Sequence, residues 1–144
     1  MSLAIMTSTA LVEAQERTYD EAALRLESDL SGIRIVRGIS DSVVLTAGMV
    51  KRSDVTRLVA SSPNAVTQAK IFEANYRQGI WTGIAGLAVW AAVYGINHIG
   101  TNQPVTAPTT FVSIALVVYG TIRVDTAKRA LSKAVWWYDR DLKV

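Results

Sequence analysis

"GIWTGIAGLAVWAAVYGINHIG", residues 79–100, has no charged side chain, although charged residues flank it on both sides. The fold turns on whether this stretch is the core helix of a soluble protein or a membrane span. Residues 79–99 amount to 21 uncharged positions, enough for about 30 Å of helix, the thickness of a bilayer's hydrocarbon core. A soluble helix of this length keeps a polar stripe toward water. Here the polar groups are Thr82, Tyr94 and, at the far end, Asn97 and His98, and they form no stripe. A second uncharged run, "TAPTTFVSIALVVYGTI", covers residues 106–122 and lies at the short end of the spanning range. Between the two runs "GTNQPVT" supplies a polar turn with Gly100 and Pro104. The pattern reads as a two-span helical hairpin, 79–99 and 106–122, in a mainly α integral membrane protein.

Charge placement orients the hairpin. Lys70 and Arg77 precede the first run, Arg123, Lys128, Arg129 and Lys133 follow the second, and the connecting loop has no charge. The positive-inside rule then puts both termini in the cytoplasm and the loop outside, as in a bacterial inner-membrane protein. Trp81 and Tyr119 fall near the cytoplasmic boundary, where amphipathic rings gather. Arg123, Lys128, Arg129 and Lys133 suit anionic lipid headgroups.

Composition agrees. The chain has 144 residues, half of them apolar, with a mean hydropathy of +0.24 although 19% are charged, so charge and apolarity are segregated along it. The net charge of +3 is too small to indicate nucleic acid, and the lack of cysteine removes thiolate chemistry and disulfides. The N-terminus has no Lys or Arg ahead of its broken apolar stretch, so it does not read as a signal peptide.

Outside the hairpin the sequence predicts a cytoplasmic head, residues 1–78, and a C-terminal amphipathic helix, residues 123–144. Leu11, Ala14, Ala22, Leu26 and Leu30 fit one face of a helix over residues 9–30. "IRIV" (33–36) and "SVVLT" (42–46) read as two short strands, too few to stand alone. Ser53 is expected to cap a short helix carrying Val55, Leu58 and Val59. Ser62 before Pro63 caps a second, with Ala65, Ala69, Phe72 and Tyr76 on one side. Ala127, Leu131, Ala134, Val135, Tyr138 and Leu142 recur at helical spacing near the end.

The order of these parts, from "VVLT" through Gly48, "DVTRLV", "SPNAVTQAK" and Asn75 to "LSKAVWWYDRDL", resembles a group of small bacterial two-span membrane proteins. In that pattern the last helix reads Leu-x-x-Ala-Val-x-x-Tyr-Asn. Leu131, Ala134, Val135 and Tyr138 match, and Asp139 stands where Asn is usual. The resemblance runs from about residue 43 to 142 and implies an architecture without an activity.

No enzyme is visible. The apolar runs hold no Asp, Glu, Lys or Arg, and the chain's 12 carboxylates show no metal-pair spacing. Gly79, Gly83 and Gly86 follow no strand and are not a nucleotide loop. His98, the sole histidine, is the one candidate for haem iron or a pigment's magnesium. Its place at the outer end beside Asn97 favours an interfacial polar role, so no cofactor is expected. More telling are the small residues: Gly79 and Gly83 form a GxxxG, with Gly86, Ala88 and Ala92 nearby, and such positions let helices approach closely. They serve either the hairpin's own packing or a neighbouring subunit. Trp81, Trp136, Trp137 and Tyr138 are expected interface anchors, because adjacent tryptophans cannot share one narrow helical face. The expected role is a non-catalytic accessory subunit docked on a larger bacterial membrane complex, photosynthetic or respiratory. The alternatives are a stand-alone homo-oligomeric envelope or lipid-organising protein and, more weakly, a pigment- or haem-binding subunit.

Overall fold

The structure, a computed structural model, describes residues 19–29, 32–39, 42–47, 54–98 and 107–143. Three strands, β1 (Leu24–Asp29), β2 (Gly32–Arg37) and β3 (Ser42–Ala47), are followed by helices α1 (Val55–Leu58), α2 (Pro63–His98) and α3 (Ala107–Asp141). The chain is thus mostly helical, with one small antiparallel sheet in the order β1-β2-β3. It divides into two compact units, one from Met1–Lys70 and Leu131–Val144, the other Ile71–Ala130.

In the first unit the two expected strands form β2 and β3, but a third strand occupies part of the expected N-terminal helix. Residues 19–22 are helical, and β1 begins at Leu24. "LRLESDL", residues 24–30, suits both periods: Leu26 and Leu30 are four apart, whereas Leu24 and Leu26 alternate with Arg25 and Glu27. Pairing decides it. Leu26 lies opposite Ile35, and Glu27 opposite Arg34, so apolar meets apolar and acid meets base across the strands. Residues 9–18 of that expected helix lie outside the described residues, as do Ser53, Gly48 and the turn at Gly100 and Pro104.

The β2–β3 connection turns at Gly38, where φ is +68°. Its N–H donates to the Ala23 carbonyl at 2.9 Å, and a Cβ there would stand 2.7 Å from the Glu21 carbonyl oxygen. Both the dihedral and the close approach require glycine. The register slips between Ile35 and Val36, so Val44 has no partner opposite it and the edge strand carries a bulge.

Leu24, Ile33, Ile35, Val55, Val59, Ala65, Ala69, Leu131, Ala134 and Tyr138 are all buried, so the expected apolar faces of the short helices and of the C-terminal helix do form this unit's core. α1 is a single turn capped by Asp54, whose carboxylate accepts the Arg57 N–H, and not by the expected Ser53. Ser62 caps α2 as its sequence position ahead of Pro63 suggests: its buried hydroxyl accepts the Ala65 N–H at 3.2 Å. The same hydroxyl donates to the Asp141 carboxylate at 2.5 Å, tying the start of α2 to the end of α3. Asp139 accepts the Leu24 N–H at 2.9 Å and ties α3 to β1.

Burial pushes the Asp139 carboxyl above the usual aspartate range, while the Leu24 N–H and the Lys143 ammonium pull the other way. A carboxyl whose folded pKa is raised favours the folded state while protonated, below about pH 4, and that contribution is lost as pH rises through the raised folded value. Asp139→Asn keeps an oxygen for the Leu24 N–H without the buried charge. Its melting temperature should therefore exceed the wild type's at pH 7, and the difference should vanish as the pH falls below about 4.

Candidate interaction surface

The second unit is a pair of antiparallel helical segments whose backbones approach closely. A Cβ on Gly79 would lie 2.8 Å from the Gly120 carbonyl oxygen, and one on Gly120 would lie 2.7 Å from the Gly79 oxygen. A Cβ on Gly86 would meet the Ser113 carbonyl oxygen at 2.9 Å. Seven residues forward along α2 correspond to seven residues back along α3, so the contact is antiparallel and repeats every two turns. Ser113 is buried in this seam, and its hydroxyl donates to the Thr110 carbonyl at 2.8 Å.

The two glycines of the GxxxG part company. Gly79 faces α3, whereas a Cβ added to Gly83 meets nothing within 4 Å, although the Gly83 backbone itself lies against Gly120. Ala88 and Ala92 are exposed. Bulky neighbours are exposed as well, among them Trp81 at 64%, Trp90 at 50% and Leu87 at 58%. The intrachain motif is therefore Gly79 and Gly86 against Gly120 and Ser113, while Gly83, Ala88 and Ala92 are left on outward positions. Gly120 and Ser113 were missed by spacing within one run. Their pairing depends on the register between the two helices, which no pattern within one run reports.

Among the described residues one helix, Pro108–Asp141, is long and apolar enough to cross a membrane. Only 17% of its apolar stretch is buried, which sets it apart from the enclosed core helix of a soluble protein. Two hydroxyls in the apolar runs are satisfied inside their own helices: Thr82 donates to the Gln78 carbonyl at 2.8 Å and Thr121 to the Val117 carbonyl at 2.9 Å. No water is needed for either.

Beyond the second run Arg123 reaches across to α2. It donates from Nη1 to Asn75 Oδ1 at 2.7 Å, and from Nε and Nη2 to the Tyr119 hydroxyl at 2.8 and 2.6 Å. Of the four expected headgroup contacts, Lys128, Arg129 and Lys133 are exposed, with Arg129 paired to Asp125 at 2.8 Å, and Arg123 alone is engaged between the helices. Asn75, Gln78 and Tyr119 had no signal of their own in the sequence as partners of this arginine.

The expected anchors in the first unit also separate. Tyr138 is 8% exposed and belongs to that unit's own core, so its ring is not offered outward. Trp136 is 56% exposed and meets Trp137 edge-on at 4.8 Å, with the Arg140 guanidinium over both rings at 5.5 and 4.8 Å. The His98 side chain lies outside the described residues. No group of three or more His, Cys, Asp or Glu able to hold a metal occurs among the described residues. No protein-family model matches the chain, and neither a curated protein nor a solved structure is detectably similar to it.

The glycine geometry makes a directional prediction. Gly86→Leu forces a side chain into a gap already under 3 Å, where overpacking costs about 1–3 kcal/mol or more, and the protein should be depleted from the membrane fraction. Gly83→Leu extends into open space, and its level there should match wild type on a quantitative immunoblot.

Proposed function

We propose that the chain is a non-catalytic accessory subunit of a bacterial membrane, inserting residues 79–99 and 106–122 as a two-span hairpin and docking on a larger membrane complex. The observation that carries this reading is the set of small residues left over from the hairpin's own packing. Gly83 has room for a side chain that it does not carry, and Ala88 and Ala92 are exposed on the same uncharged run. In hydrocarbon, association between helices depends on close van der Waals contact, for which small outward residues are suited. Lipid alone makes no such demand, since acyl chains conform to bulky side chains equally well.

Trp136 supports a second point of contact. An exposed tryptophan braced by Arg140 is a preorganised, rigid anchor of the kind that dominates interfaces. The basic residues after the second run and the uncharged loop support cytoplasmic termini. The resemblance to small two-span bacterial proteins is consistent with this architecture and rests on the sequence motif alone. Energy-transducing complexes, photosynthetic or respiratory, are the class in which such subunits are sought first.

Two measurements test the proposal. Cysteines placed at Asn102 and Ser132 should differ on intact cells, with a membrane-impermeant thiol reagent labelling only the former. Purification from the native membrane in mild detergent should bring down a stoichiometric larger partner. Gly83→Leu and Trp136→Ala should weaken that association without lowering the amount in the membrane, the latter by about 2 kcal/mol for a buried aromatic anchor. Recovery of the chain only as copies of itself would instead establish the homo-oligomeric alternative.

A further inference from the structure

The cluster around Arg123 has more hydrogen-bond donors than it can use. A guanidinium carries five N–H groups, and the three engaged here end on Asn75 Oδ1 and the Tyr119 hydroxyl, both neutral. One N–H remains on each Nη. Gln78 Nε2 adds a third donor to the Tyr119 oxygen at 3.4 Å, although a hydroxyl oxygen has only two lone pairs. The Tyr119 O–H proton goes to none of these partners. The positive charge is therefore held in place but not balanced by them.

It is also pre-oriented. Asn75 is fixed by its own bond from Nδ2 to the Ile71 carbonyl at 2.8 Å, which turns Oδ1 toward Arg123. The guanidinium lies 5.0 Å from the centre of the Tyr119 ring. A planar fork locked in this way loses little freedom when it binds a tetrahedral oxyanion. Arg123 is the first charged residue after the uncharged run 106–122, and Val118 and Ile122 beside it are more than half exposed.

We propose that Arg123, Tyr119 and Gln78 form a seat for one phosphate oxyanion, supplied by an anionic phospholipid whose acyl chain lies along Val118 and Ile122. The two remaining guanidinium N–H groups and the Tyr119 O–H donate to the phosphate oxygens. The proposal rests on the reading of the apolar runs as membrane-embedded. A soluble phosphate ester offers the same oxygens, but it has no use for the exposed apolar surface beside them.

The test uses the full-length protein in detergent with equal phosphatidylglycerol and phosphatidylcholine, read by native mass spectrometry. Wild type should retain one phosphatidylglycerol in preference to phosphatidylcholine by about tenfold, equivalent to about 1.4 kcal/mol. Arg123→Gln should abolish the preference. Tyr119→Phe, which removes one donor of the seat and the acceptor of Arg123 Nε and Nη2 but leaves the Asn75 bond, should reduce it, and Arg57→Gln should leave it unchanged. Equal preference in wild type and both Arg123→Gln and Tyr119→Phe would overturn the seat, as would no preference in wild type. Complete displacement of the lipid by millimolar inorganic phosphate would overturn the lipid as its occupant. Release of the protein from native membranes by alkaline carbonate would overturn the embedded reading together with the seat. A carbonate-resistant protein that lacks the preference overturns the seat alone.

Discussion

Two helix backbones meet without side chains between them at Gly79, Gly86 and Gly120, and the second unit depends on that contact. Lipid tails are as apolar as leucine, so nothing squeezes two apolar helices together in a bilayer as water would. For a pair embedded there the attraction would be chiefly dispersion, of which a gap of about 0.5–1 Å forfeits a quarter to a half. Gaps under 3 Å for an added Cβ leave no such slack. The same register brings Asn75 level with Arg123, so the charged cluster is a product of the glycine seam and not an independent feature. It also determines where a side chain has room: a Cβ at Gly79, Gly86 or Gly120 would clash, whereas one at Gly83 would not, although the Gly83 backbone lies against Gly120.

Polar ties organise the first unit in a different way. Asp141 and Asp139 lie two residues apart at the end of α3, and they hold the start of α2 through Ser62 and the start of β1 through Leu24. One stretch of helix thereby fixes two other elements. At Asp139 the fold uses an oxygen that accepts an N–H, which an asparagine would supply as well.

The sequence made the uncharged runs, the Ser62 cap, strands β2 and β3 and the buried C-terminal face legible, because each rests on local pattern. A run without charge, a hydroxyl before proline and a repeat of apolar positions are properties of neighbours in the chain. β1 was misread because "LRLESDL" suits either period, and only Ile35 and Arg34 opposite it choose the strand. The roles of the glycines were half legible. Spacing identifies residues able to pack closely, but which of Gly79 and Gly83 does so depends on the azimuth of a second helix. Arg123 was visible as a charge after a span, while its engagement with Asn75, 48 positions away, is a tertiary fact.

The unpartnered Val44 on β3 has a consequence for the company the sheet can keep. Among the described residues β3 is an edge strand, and Val43 and Val44 are both exposed on it. A flat edge with two outward valines is a template for open-ended growth, each chain offering its successor the same row of amides. The bulge interrupts that row and sharpens the local twist, so an incoming strand finds neither a continuous ladder nor a straight line to follow. One residue out of step thus makes β3 a poor template for the strand of a second copy.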